Sequence, residues 1–309
     1  MTTLSKPRQV RANAAEPPPT RFVLGADERA ADGLARVLFE QVDLASFHAQ
    51  HLSVSDGHVH ELRKGTKRMR AVLRILRDEV DSGVYRDLNV SVRDVARSLS
   101  HVRTSIVMID VFGGLVEERP ALASATTAIR HELHADRDRA RQSVDEALVG
   151  DLTRRLGGVR VRLGDAVVAG GGTITSEGVR RTYRRGRNGM ARALASGSAE
   201  HFHAWRKRVK YLRHQLEVLS EVGSSDVTGV VDGLEGLGAD LGRVNDLVDL
   251  THRVTRSGPG REIDDGGEAL LSVIGQARTQ LEMDTRGPAD RLFDRSPSMF
   301  VSELVPALA

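Results

Sequence analysis

The 309-residue chain contains no cysteine. This excludes disulfides, thiolate metal sites and a cysteine nucleophile, and it fits a reducing compartment. Aromatic residues make up only 4%, so a core must rest mainly on Leu, Val and Ala, a composition that favours helices. Nowhere do 18 uninterrupted apolar residues occur, so no transmembrane helix is expected. The N-terminal stretch "MTTLSKPRQVRANAAEPPPTRF" lacks the apolar run of a signal peptide. The expectation is a soluble cytoplasmic protein with no membrane partner. No lysine follows a glycine, which excludes a P-loop. Lysine itself is scarce. Of the 45 Lys and Arg residues five are lysine (Lys6, Lys64, Lys67, Lys207, Lys210), leaving 40 arginines. Four of the five lysines lie in two short segments, so the net charge of +3 hides a local concentration of cations.

Residues 1–25, with three consecutive prolines and few apolar anchors, read as a disordered tail. Helical spacing begins near Asp27, and a second helix is predicted over about 56–80. "LNVSVRDVARSLSHVRTSIVMIDVF" reads as a third helix ending near Gly113 and Gly114. Pro120 marks a break, and about 125–149 is helical again. Within 152–168, "VRVRL" alternates like a short strand but also suits a broken helix. "AGGGT" (169–173) is the clearest linker. Ser176 is a plausible N-cap for 176–194. Further helices are predicted over about 203–219, 226–256 and 268–283, with a polar loop at 257–268. No period-2 apolar runs recur, so the fold class is all-α. The main domain is placed at 26–285, in halves of about 26–168 and 174–285, with 286–309 as a C-terminal segment.

The two lysine-bearing segments align without a gap. "HELRKGTKRMRAVLRIL" (60–76) and "HAWRKRVKYLRHQLEVL" (203–219) share the spacing H-x-x-R-K-x-x-K-x-x-R, 143 residues apart. At roughly 100° per residue, His60, Arg63, Lys64, Lys67, Arg70 and Arg74 share an arc of about 120°. His203, Arg206, Lys207, Lys210 and Arg213 are their counterparts. Leu62, Met69, Leu73 and Leu76 occupy a separate arc, matched by Trp205, Val209, Leu212, Leu216 and Leu219. Each helix therefore packs by one face and presents a basic ladder beside it. A merely solvated face in a near-neutral protein should mix signs. Ladders with no acid on their arcs, present twice, point to an anionic ligand. In "VRRTYRRGR" (179–187), Arg180, Tyr183, Arg184 and Arg187 share one face and are assigned to the basic surface. Arg181 and Arg185 share another, read as solvated.

At these residues the chain resembles the CHAD family, the conserved histidine α-helical domain. The family's first signature, roughly H-x-L-R-x-x-x-[RK]-R-x-R, fits His60, Leu62, Arg63, Lys67, Arg68 and Arg70. Its second-half pattern, Y-R-R-G-R followed by H-x-W-R-K-R-x-K-x-L, is similar to 183–187 and 203–212. A later Asp in "RDL" or "LGxxxDL" corresponds to Asp87 and Asp246. The resemblance runs over about 27–285. It implies two antiparallel helical bundles related by a pseudo-two-fold, with a cationic channel between them. It also implies binding of inorganic polyphosphate without catalysis and localisation to polyphosphate granules. Asp87 and Asp246 would then orient arginines. His203 to Asp246 spans 43 residues but His60 to Asp87 only 27, as if the first half lacked 16.

Other chemistry is set aside. The acidic E-x-E-x-K signature of accompanying triphosphatase domains is absent. "HVH" (58–60) and "HFH" (201–203) cannot chelate on a helix, because residues two apart point about 200° apart. "HELH" (131–134) lacks zinc-enzyme spacing. No metal and no cofactor are expected. Nucleic-acid binding would call for aromatics among the cations, and the ladders contain none besides Tyr183. Phosphotransfer through His60 or His203 would call for a nearby general acid and a magnesium site, for which only Asp87 and Asp246 are on offer.

Overall fold

The computed structural model describes residues 16–169, 174–256 and 264–308. Its α-helices are α1 (Ala30–Gln50), α2 (Asp56–Ile75), α3 (Ser82–Ser98), α4 (Ser100–Glu118), α5 (Leu122–Ala125), α6 (Thr127–Gln142), α7 (Glu146–Ala169), α8 (Glu177–Ser196), α9 (Ala199–Val218), α10 (Val227–Thr255), α11 (Asp265–Asp284), α12 (Arg286–Leu292) and α13 (Pro297–Leu304). No strand occurs among the described residues, and the all-α class holds. No single helix among them is long and apolar enough to cross a membrane.

The apolar arcs expected on α2 and α9 are buried. Leu62, Met69, Trp205, Val209 and Leu216 are fully enclosed. They join a main core that takes in α1, α7, α8 and the first half of α10. A second apolar cluster is built on Met108 and Phe112 of α4, Leu133 of α6, Leu250 of α10 and Leu270 of α11. The long α10 thus serves both cores. At the centre α2 and α9 pack directly on each other.

Several boundaries differ from expectation, each for a local reason. The third helix divides at Leu99 into α3 and α4, bent by 49°. Ser98 and Ser100 flank the break, and their hydroxyls donate to the carbonyls of Asp94 and Ala96, where side chains compete with the backbone ladder. α4 then runs through Gly113 and Gly114, because Leu115 and Val116 beyond them are buried, and packing overrides weak glycine propensity. The stretch 125–149 divides before α7, where the Asp145 carboxylate accepts from the Leu148 amide at 2.8 Å, a side-chain cap. "VRVRL" is helix: Val159 and Leu163 are buried at spacing four, while Val161 is 67% exposed. Ser176 makes no side-chain cap; its amide donates to the Leu308 carbonyl instead. Most of the 169–173 linker, and the loop over 257–263, lie outside the described residues.

The ends are more integrated than the sequence suggests. Residues 1–15 lie outside the described residues, but 16–25 are not a free tail. Phe22 and Leu24 are buried, and the Leu24 amide donates to the Val218 carbonyl at 2.7 Å. The C-terminal segment also enters the main core through Phe293, Phe300, Val301 and Leu304.

One close approach positions α8 on α2. A Cβ at Gly178 would stand 2.5 Å from the Arg74 carbonyl oxygen and 2.7 Å from the Ile75 Cα. These are backbone atoms that cannot move aside. Gly178→Ala is expected to destabilise by about 1–3 kcal/mol through overpacking. Gly236, in the exposed middle of α10, has open space at its Cβ position, so Gly236→Ala should stabilise by about 0.5–1 kcal/mol. Urea midpoints of the two variants check the contrast.

Candidate functional site

The crossing of α2 and α9 divides their charges into two sets. On one side the helices are joined by paired groups. Arg68 is bonded to Glu217, and the Gln215 amide donates to the Ala71 carbonyl at 3.3 Å. On the other side cations converge with no acid in ion-pair contact, the nearest being Asp246 and Asp249 of α10, which face Arg206. Lys67 of α2 faces Lys210 and Arg206 of α9, together with Arg63 on its own helix and Arg103 of α4. Among the described residues the side chains of Lys67, Lys210, Arg206 and Arg103 take part in no hydrogen bond or ion pair. The Nε of Arg206 is buried without a partner. Gly242 on α10 makes room for it: a Cβ there would stand 3.1 Å from the Arg206 Nη2.

Burial and like charges act together here. Burial, then Lys210 and the surrounding guanidiniums, push the Lys67 ammonium down to about 7. Burial and Arg206 push Lys210 down to about 8, against the pull of Asp246. His60 is lowered by burial first and by Arg103 second. His203 is also lowered, mainly by burial, while its contact with Asn245 opposes the shift. Burial raises Asp246, and Arg206 pulls it back.

Not every rung of the ladders is free. Lys64 is held by Glu61 at 3.3 Å and Arg213 by Glu235 of α10 at 3.0 Å. Arg70 donates to the Asn89 side chain at 3.1 Å. Arg63 donates to the Ala96 carbonyl and lies 3.4 Å from the Ser100 hydroxyl.

These partners correct the register of the first half. Asn89 follows Arg70 by 19 residues, and Glu235 follows Arg213 by 22. Eleven residues beyond Asn89 is Ser100, which meets Arg63. Eleven beyond Glu235 is Asp246, which faces Arg206. Ser100 therefore stands where Asp246 does, and the halves differ here by three residues rather than 16. Asp87 is exposed on α3, with no partner among the described residues, and does not orient the site. Arg103 occupies the position corresponding to Asp249, so the first half places a cation where the second has an acid.

A second basic patch continues along the same face. The Arg74 guanidinium lies 3.8 Å from the Tyr211 ring centre and Arg70 lies 5.5 Å away. Arg77 lies 5.6 Å from the Tyr85 ring. Arg185 and Arg208 face Arg74 and each other, and both are lowered by burial and by these neighbours. Lys207 faces Arg208 and Arg70. From His60 to Arg74 the cations extend about 21 Å along α2.

The assignment of the α8 faces reverses. Tyr183 is a core residue, 0% exposed, with its ring 3.9 Å from that of Phe300 and its hydroxyl donating to the Arg295 carbonyl at 3.1 Å. Arg180 is paired with Glu177, and Arg184 and Arg187 are exposed; Arg187 faces Tyr183. Arg185 is exposed, as read from the sequence, yet it is the α8 residue beside the basic patch. Arg181 is held by Asp78. The aromatic rings near the cations are Tyr211 and Tyr85, and Tyr211 is buried under Arg74. Among the described residues, no three His, Cys, Asp or Glu side chains form a group that could hold a metal ion.

The lysines tie stability to pH. An ammonium whose folded pKa falls from 10.5 to about 7 is bound more weakly by the folded state, so stability rises with pH between those values. Lys67→Met is expected to raise the thermal midpoint at pH 7 by at least about 3 °C, with the gain shrinking towards pH 10. Calorimetry at low salt over that range checks the sign.

The CHAD domain family matches residues 36–255. The fold is similar to the crystal structure of the CHAD domain from the plant Ricinus communis, with a TM-score of 0.57 at 16% identity, over 95% of this chain and 98% of that one. No curated protein matches. With its all-α fold and a family match over most of its length, the chain belongs to the CHAD domain family.

Proposed function

We propose that the protein binds inorganic polyphosphate along the cationic face of α2 and α9, and that it does so without catalysis. The observation that carries this is the convergence of Lys67, Lys210, Arg206 and Arg103, half-buried and without any acid in ion-pair contact. Such an arrangement is unfavourable until an anion enters it. Guanidiniums fork onto phosphate oxygens, and ammoniums act as compact point charges. A linear polyanion of variable length uses both and needs no base readout. The channel is the seam between the two halves, which the proposal treats as related by an internal two-fold. Placement in the cytoplasm, at polyphosphate granules, belongs to the same proposal.

Nucleic-acid binding is the weaker reading. Its stacking platforms require open aromatic faces, and the face of Tyr211 is occupied by Arg74. Phosphotransfer is weaker too. His203 is engaged by Asn245 through Nδ1, and the Glu61 carboxylate stands 4.0 Å from His60 Nε2 while holding Lys64.

Long-chain polyphosphate titrated into the protein at several salt concentrations tests the proposal. Affinity is expected to fall steeply with salt, as counterion release requires. Lys210→Gln and Arg206→Gln should each weaken binding by about tenfold or more, a charge-assisted contact being worth about 1.5–3 kcal/mol. Tyr183→Phe and Arg184→Gln should change it by less than about twofold, since one is core and the other lies off the seam. Equal losses in both groups, or a flat salt response, would contradict the assignment. Duplex DNA competing as well as polyphosphate would favour the nucleic-acid reading.

A further inference from the structure

The seam holds two amines of an unusual kind. Lys67 and Lys210 are half-buried and face each other from two packed helices. Neither has a hydrogen-bond or ion-pair partner among the described residues, whereas Lys64 is tied to Glu61 at 3.3 Å. The groups that face Lys67 are Lys210 and Arg206 of α9, Arg103 of α4 and Arg63 of its own helix, all cationic. An amine desolvated among cations keeps a larger neutral, nucleophilic fraction at physiological pH than an ordinary lysine does. The same guanidiniums would hold a phosphate group within reach of it. Nucleophile and phosphate site thus lie side by side.

We propose that Lys67, and after it Lys210, is a modification site that takes acyl groups from small acyl phosphates. The phosphate of the donor sits on Arg206 and Arg103. The neutral Lys67 nitrogen attacks the carbonyl carbon; the C–N bond forms and the C–O bond to phosphate breaks. Phosphate leaves with the electron pair, and the nitrogen's surplus proton passes to it or to water. No oxidant or reductant is involved. The product amide carries no charge, so acylation removes cations from the seam and weakens polyanion binding. The inference rests on the anion-binding reading of this seam and adds to it a covalent means of regulation.

The low pKa supplies the expected pH signature. The Lys67 amine is at about 7, so its reactivity should level off above that pH. An ordinary lysine goes on gaining about tenfold per pH unit below its own pKa.

The test uses the full chain, acetyl phosphate and peptide mass spectrometry, with no polyphosphate present. Lys64 is the internal reference. At pH 7.5, Lys67 is expected to acetylate about tenfold faster than Lys64 or more, and from pH 7.5 to 9 its rate should rise less than about twofold. Arg206→Gln should slow acetylation of Lys67 by acetyl phosphate about fivefold more than it slows acetylation by acetic anhydride, which bears no phosphate. The anhydride rate also reports whether the variant keeps the seam intact; if it does not, Arg103→Gln is used in its place. Lys67 labelling no faster than Lys64, or a Lys67 rate with acetyl phosphate unaffected by loss of either arginine in an intact seam, overturns the proposal. Because polyphosphate is left out, the two readings fail separately. A chain that labels at Lys67 but does not retain polyphosphate keeps this inference and loses the binding function.

Discussion

The structure depends on placing like charges together where two helices cross. α2 and α9 carry a cationic face beside an apolar one, and the apolar faces alone determine how the helices pack. Leu62, Met69, Trp205 and Val209 are fully buried, and burying each such side chain contributes about 1.5–3 kcal/mol. That attraction holds Lys67 and Lys210 near each other against their repulsion and against desolvation. The acids lie at the margins. Glu217 neutralises Arg68 on the far side of the crossing, while Glu61 and Glu235 take Lys64 and Arg213. At the centre only Asp246 faces the cations, with no ion pair formed, so positive charge stays in excess, the arrangement expected of a site whose missing partner is an anion.

Much of this was legible in the sequence because a helix is a local structure. The matched H-x-x-R-K-x-x-K-x-x-R segments both lie on helices, and their apolar arcs are buried. What was not legible depends on which helix lies opposite. Glu235 and Asn89 reach Arg213 and Arg70 from other helices, at separations where spacing along the chain carries no signal. Arg103 was missed because the sequence reads as one helix from Leu88 to near Gly113, whereas the bend at Leu99 starts α4 in a new direction. Asp87 was selected by the short string "RDL", whereas structural register assigns the position to Ser100. On α8 both stripes are rich in arginine. Only the C-terminal segment, with Phe293 and Phe300 packed on Tyr183, decides which stripe turns inward.

The same face carries two kinds of cation in two settings. Around Tyr211 and Tyr85 the charges are mainly guanidiniums, several of them lying over aromatic rings. At the seam the ammoniums of Lys67 and Lys210 stand among arginines, and these are the groups whose charge state responds to occupancy. Arginine keeps its charge in either setting, so the patch supplies standing attraction. The lysines and the two histidines respond, since an anion beside them restores the protonated form that burial disfavours.

That difference gives the most direct test. Binding of long-chain polyphosphate should be measured by calorimetry near pH 8 in buffers of different ionisation enthalpy, which reports protons exchanged per complex. Lys67 at about 7 and Lys210 at about 8 are partly deprotonated there in the free protein, and the bound polyanion raises both. The account requires net uptake of about one proton, reduced when Lys67 and Lys210 are both replaced by glutamine. Binding with no proton uptake, or with proton release, would contradict a seam built from buried lysines awaiting an anion.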